Sequence, residues 1–113
     1  MSTAVYARPV IAIHRFLVPE SDRQDFLAAA ATALGHLRSR PGAQAVDLVA
    51  NIDDRGLWAL VSRWPDVGHY RRAIGGAAAT YALMPLMAYV VDEPSAYLPA
   101  DELGENVPRG QAE

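Results

Sequence analysis

The sequence predicts an α+β fold: a ferredoxin-like βαββαβ sandwich, with an antiparallel four-stranded sheet carrying its helices on one face. Three observations lead there. Strand-like and helix-like segments alternate in the order strand, helix, strand, strand, helix, strand, which is the split β-α-β arrangement. The turn-forming run Asp53-Asp54-Arg55-Gly56 joins two β-rich segments as a hairpin needs. A chain of 113 residues accommodates one hydrophobic core and not two.

The segment from Arg8 to Val18 is rich in β-branched and aromatic residues and ends at Pro19, so it reads as the first strand. Ser21 and Gln24 have capping-box spacing, which places a helix start there. Phe26, Ala30, Ala33, Leu34 and Leu37 then follow as one apolar helical stripe, which stops at Pro41-Gly42. A second strand, about Ala43 to Ile52, leads through the hairpin turn into a third, Leu57 to Trp64. Pro65-Asp66 caps a second helix from Val67 to about Ile74, and Gly75-Gly76 weakens it before a small-residue stretch, residues 75–86, that gives no clear period. Met87 to Glu93 reads as a fourth strand. The folded domain is thus expected to occupy residues 1–94, with 95–113 as a polar tail containing proline and glycine.

Composition limits the function classes. Ten arginines, no lysine and a net charge of −3 disfavour nucleic acid and anionic membrane surfaces as partners. The longest apolar stretch, Tyr81 to Val91, contains Pro85 and is about half of the ~20 residues a membrane span needs. The short apolar run Val10 to Ile13 does not make a signal peptide, so a cytoplasmic location is expected. With no cysteine there is no thiolate nucleophile or thiolate metal site, and the three histidines share no strand or helical face; no metal and no cofactor site is expected. Twenty-one alanines make the apolar content small-sided, so the core is thin or shared. Strands one, three and four carry apolar residues at both parities, as in Val10 and Ile11, Leu60 and Val61, Val90 and Val91. The sheet face away from the helices therefore needs a cover, and pairing with a second copy supplies it, so a homodimer is expected.

The third strand places Trp58, Leu60, Ser62 and Trp64 on one face. If that face looks toward the helices, His14 and Phe16 of the first strand join it and Tyr70 of the second helix closes it, making an aromatic cavity with few polar groups. His14 reads either as a hydrogen-bonded core residue or as a general base; Trp58 and Trp64 read either as core filling or as cavity wall. His36 and His69 read as surface residues near helix ends.

The run Leu57-Trp58-Ala59-Leu60-Val61-Ser62-Arg63-Trp64, followed by Asp66 and Tyr70-Arg71, resembles the hairpin-to-helix signature of the antibiotic biosynthesis monooxygenase (ABM) family. Arg40-Pro41-Gly42, and Asp92-Glu93-Pro94 with Tyr97, are similar to its other landmarks. The resemblance implies a dimeric α+β barrel. It also implies an oxygenase that works on polyketide phenols without metal or flavin, in which an asparagine, a tryptophan and a tyrosine line the pocket. Trp64 and Tyr70 match two of these, while Leu60 stands at the asparagine position. In the haem-degrading branch only Trp64 would match, and no histidine follows His69.

The leading expectation is a cofactor-independent monooxygenase that uses molecular oxygen to convert an aromatic phenol or anthrone to a quinone. His14 would be the base, Trp64 and Trp58 the cage and Tyr70 the donor, with Phe16, Leu60 and Ser62 against substrate. Two alternatives use the same residues: a non-catalytic dimer that is structural or binds a small hydrophobic ligand, and a polyketide cyclase or isomerase with His14 as base.

Overall fold

The computed structural model describes residues 8–103. The strands are β1 (Val10–Leu17), β2 (Ala45–Ala50), β3 (Leu57–Trp64) and β4 (Ala96–Tyr97); the helices are α1 (Arg23–Arg38), α2 (Val67–Ile74) and α3 (Gly76–Met87). The sheet is antiparallel in the order β2-β3-β1-β4, with β1 and β3 as the central neighbours that the split β-α-β order predicts. This is the expected α+β ferredoxin-like arrangement.

Alternation along the two central strands decides which residues face the helices. Val10, Ala12 and Phe16 of β1 and Trp58, Leu60, Ser62 and Trp64 of β3 are buried, whereas Arg15, Leu17 and Arg63 are exposed on the other side. In register, His14 lies opposite Leu60, Ala12 opposite Ser62, and Phe16 opposite Trp58. The α1 stripe closes over this face through Phe26, Ala30, Ala33 and Leu37, all buried. Phe26 is the centre of an aromatic cluster, with ring centroids 5.4 Å from Phe16, 5.5 Å from Trp58 and 5.7 Å from Tyr89.

Turns and caps hold these elements in place. Asn51 Oδ1 accepts from the N–H groups of Asp53 and Asp54, and Asp54 Oδ1 from Gly56, each at 2.8 Å, which builds the expected β2–β3 hairpin. Asp66 caps α2, its Oδ1 accepting from both the backbone N–H and Nδ1 of His69 at 2.8 Å. Gly42, at φ +89°, turns the chain after α1 directly beneath the His69 ring, where an added Cβ would lie 2.6 Å from a ring carbon.

Two expectations are corrected, and one stretch that the sequence leaves open is resolved. Ser21 and Gln24 form no capping box: a 3₁₀ turn, Glu20–Asp22, precedes α1, Asp22 is the N-cap, and it makes no side-chain cap bond. Its carboxylate accepts instead from Ser21 Oγ at 3.1 Å and from the Tyr89 hydroxyl at 3.0 Å. The small-residue stretch is a third helix, α3, which starts at Gly76 (φ +87°) and continues through Pro85 to Met87.

The fourth strand is not Met87–Glu93. After α3, the Leu17 N–H donates to the Tyr89 carbonyl at 2.9 Å and the Val91 N–H to the Arg15 carbonyl at 2.8 Å, but Phe16 with Val90 is only an isolated bridge. Pairing resumes at Ala12 with Ala96 and Ile11 with Tyr97, so the edge segment carries two more residues than β1 over this stretch. The extra length bulges at Asp92-Glu93-Pro94, where proline has no N–H to donate. Glu93 is held there by two bonds from Arg15, at 2.6 and 2.7 Å. The sheet therefore extends past the boundary expected at residue 94 as far as Tyr97, while the tail from residue 104 onward lies outside the described residues.

Candidate functional site

A cavity of about 290 Å³ lies between the sheet and the helices. The sheet floor is His14 and Phe16 of β1 with Leu60 and Ser62 of β3; α1 adds Leu37, α2 adds Ile74, and the roof is Thr80, Leu83, Met84, Leu86 and Met87 of α3. Its wall is mostly apolar, and three side chains bring polar atoms to it: His14, Ser62 and Thr80.

Each of the three is placed by its element. His14 reaches the helix side because it shares parity with Ala12 and Phe16, and Ser62 does so with Leu60 and Trp64. Thr80 lies on α3 and donates to the Gly76 carbonyl at 2.9 Å, so its proton is used within the helix. Ser62 accepts the indole N–H of Trp64 at 2.9 Å in a fully buried contact. His14 Nδ1 is buried without a hydrogen-bond partner, while its Nε2 lies 3.5 Å from the Tyr70 hydroxyl, at the long limit of a hydrogen bond. Burial pushes the His14 pKa below its ordinary value of 6.5, so the imidazole is neutral at pH 7. Burial likewise raises the Tyr70 phenol, against a smaller opposing contribution from a hydrogen bond with Ser95.

Of the seven residues singled out in the sequence, four meet at the cavity wall: His14, Phe16, Leu60 and Ser62. Tyr70 and Trp64 stand behind that wall, their rings 6.4 Å apart, each touching one polar wall residue: Tyr70 meets His14, and Trp64 meets Ser62. Trp58 is not part of the wall. It packs on Phe26 under the Arg23 guanidinium, which sits 4.8 Å from its ring centre, and its Nε1 has no partner. The expected aromatic cage is thus a largely aliphatic, methionine-containing chamber with aromatic groups as backing.

The α3 residues were not anticipated. Thr80, Leu83, Met84 and Met87 follow one another at helical spacing, i, i+3, i+4 and i+7, and this is the signal that the alanines and Pro85 obscure. Among the described residues, no three of His, Asp and Glu gather as a metal site, and no helix is long and apolar enough to cross a membrane.

The family model for antibiotic biosynthesis monooxygenase matches residues 9–78, which include β1, β3 and α2. The chain belongs to the ABM family. Its fold is shared with several solved structures. SnoaB, a cofactor-independent oxygenase from Streptomyces nogalater, superposes in a mutant form with a TM-score of 0.72 at 20% identity, over 81% of this chain and 93% of that one. A conserved protein of Methanosarcina mazei Go1 gives 0.71 at 11% identity, over 81% and 91%. Rv0793 of Mycobacterium tuberculosis gives 0.67 at 18% identity, over 81% and 93%. No curated protein sequence matches the chain.

Proposed function

We propose that this ABM-family protein is a cofactor-independent monooxygenase that oxidises a small aromatic phenol or anthrone to a quinone. The observation that carries the reading is the neutral His14, whose Nδ1 has no hydrogen-bond partner, in the wall of an apolar cavity. A base needs a free lone pair, a pKa at or below working pH and a dry surrounding, and His14 has all three. Its Nε2 lies 3.5 Å from the Tyr70 oxygen, a contact that orients the ring, and its Nδ1 makes no hydrogen bond within the protein. Trp64 and Tyr70 act from behind the wall, and Phe16, Leu60 and Ser62 contact the substrate.

In the proposed reaction His14 takes a proton from the ring methylene or phenol of the substrate, and the resulting carbanion passes one electron to molecular oxygen. The two radicals combine to a peroxide at that carbon. Loss of water leaves a carbonyl: one oxygen atom stays in the quinone, and the other departs as water with two hydrogens, both from the methylene of an anthrone, or one from the ring carbon and one from the hydroxyl of a phenol. His14 returns its proton to the departing hydroxide. The substrate supplies the electrons, and the protein supplies proton transfer, position and exclusion of water.

A dimer completes the proposal. Ile11 and Ile13 of β1 and Leu57, Ala59 and Val61 of β3 give the sheet face away from the helices a half-buried apolar centre, and Val49 extends it at 45% exposure. A second copy laid on this face would cover it and leave the helix-covered cavity of each protomer to its ligand.

Oxygen uptake with an anthrone tests the activity. Turnover above the buffer rate, lost in His14→Phe, is expected; a rate equal to buffer rejects the oxygenase. One observation favours a second reading, ligand binding without turnover: Leu60 stands in the wall opposite His14 and brings no hydrogen-bonding group. Tight binding of an anthrone without oxygen consumption would select it.

A further inference from the structure

We infer that Ser62 is the hydrogen-bond donor that holds the ligand's oxygen, and that Trp64 is the positioning residue that aims it. The inference rests on the aromatic-ligand reading above and specifies the ligand as a ring compound bearing a carbonyl or phenolate oxygen.

Among the three polar wall residues the hydrogen-bond accounts differ. Thr80 spends its proton on the Gly76 carbonyl. His14 has one nitrogen against Tyr70 and the other unpartnered. Ser62 is 97% buried, at 3% exposure, and its one hydrogen bond among the described residues is accepted from Trp64 Nε1 at 2.9 Å. A hydroxyl has one proton and two lone pairs. The indole N–H occupies a lone pair and cannot receive the proton, so the rotor is biased to turn its O–H away from Trp64. Trp64 is fully buried and fixed between β3 and Tyr70, so this bias is rigid. An accepted hydrogen bond also polarises the hydroxyl and makes it a better donor.

Ser62 is therefore a buried donor in an apolar wall, and a buried donor without an acceptor is costly. A ligand oxygen satisfies it. Across the strands Ser62 is the diagonal neighbour of His14, since His14 faces Leu60 and Ala12 faces Ser62. A flat ligand lying over Leu60 can thus present an oxygen to Ser62 and an acidic hydrogen to His14 at once, and negative charge developing on that oxygen strengthens the Ser62 bond. Leu60 contributes the apolar surface between the two, so the donor lies two residues along the strand from the position where the family resemblance places an asparagine.

The pair α-tetralone and tetralin, which share a ring skeleton but differ by one carbonyl, tests this on the intact protein. Wild-type protein is expected to bind the ketone about tenfold more tightly than the hydrocarbon, with the carbonyl stretch of the bound ketone moved to lower frequency. In Ser62→Ala the preference and the frequency shift should both disappear. Ser62→Thr, which retains a hydroxyl, should restore them in part. Trp64→Phe, which removes the N–H donor, should diminish the frequency shift with Ser62 still present. An unchanged preference in Ser62→Ala, an unshifted carbonyl in wild type, or no binding of the ketone overturns the inference. Its failure is distinct from failure of the oxygenase: a Ser62-dependent carbonyl shift without oxygen uptake rejects only the oxygenase, and oxygen uptake with a Ser62-independent shift rejects only the role of Ser62.

Discussion

The Tyr70 hydroxyl lies 3.5 Å from Nε2 of His14, joining the second helix to the central strand just behind the cavity wall. Because burial holds the His14 pKa below 6.5, the proposed base is deprotonated throughout the neutral range. The rate of anthrone oxidation should accordingly fall on acidification, with an apparent pKa below 6.5, and stay level above it. His14→Phe should lower the rate by about a hundredfold or more. Tyr70→Phe should retain the cavity but alter the acid limb, since the hydroxyl beside Nε2 of His14 is gone. A pH–rate profile of the three proteins checks this.

The same group makes stability depend on pH, and the sign follows from the direction of its shift. An unfolded His14 binds a proton near pH 6.5, and the folded one only at lower pH. Between those two values the unfolded state binds more protons, so stability falls as pH falls through that window and levels off once the folded imidazole is protonated too. Urea midpoints measured downward from about pH 8 should show this decline, and the decline should be shallower in His14→Phe.

Ile13 and Val61 lie opposite each other on the sheet face that the helices leave open. Sedimentation of the wild type should report a dimer, and Ile13→Asp should yield a folded monomer, because a carboxylate at the centre of that face would have to be desolvated on association. A wild type that sediments as a monomer at micromolar concentration removes the dimer.

Gly42→Ala should destabilise the fold by about 2 kcal/mol or more, from a left-handed backbone and a clash with the ring above it. The two contributions are separable. His69→Ala in the same chain removes the contact that would lie at 2.6 Å but leaves φ at +89°, so the double variant should recover part of the loss in urea unfolding.

Leu60 is 4% exposed and lines the cavity wall beside Ser62. Leu60→Asn should cost roughly 2–4 kcal/mol, from lost apolar packing and a buried amide that needs partners. If the oxygenase reading holds, oxygen uptake per folded molecule should nevertheless rise, because the amide adds a second group able to hold a substrate oxygen opposite His14.

The central strands were legible because alternation is a local property: once β1 and β3 were identified, the common face of His14, Phe16, Leu60 and Ser62 followed from parity. The cap at Asp66 and the turn before Gly56 were legible for the same reason, since the side chain and the N–H it satisfies are two or three residues apart. The roof of the cavity was not. Gly75, Gly76 and Pro85 are residues that usually end helices, and α3 accommodates all three, with the glycines at its start and the proline in its last turn. The fourth strand was misplaced because Met87–Val91 has strand-like composition, while its pairing is decided by the distant Arg15–Glu93 contact and the bulge. Nor does a residue pattern distinguish a ring that lines a chamber from one that stands behind it, which is the difference between Phe16 and Trp64.

Sheets end in rows of unsatisfied backbone groups, and such rows recruit other chains into fibrils. Here the β1 side terminates in a ladder only two residues long, Ala96 and Tyr97, with Pro94 before it and Pro99 after it. Neither proline can donate to an arriving strand, and the bulge turns the intervening backbone out of line. The kink that spoils a regular fourth strand therefore acts as a chain terminator at this edge: an arriving strand meets neither a straight backbone nor an unbroken row of donors there.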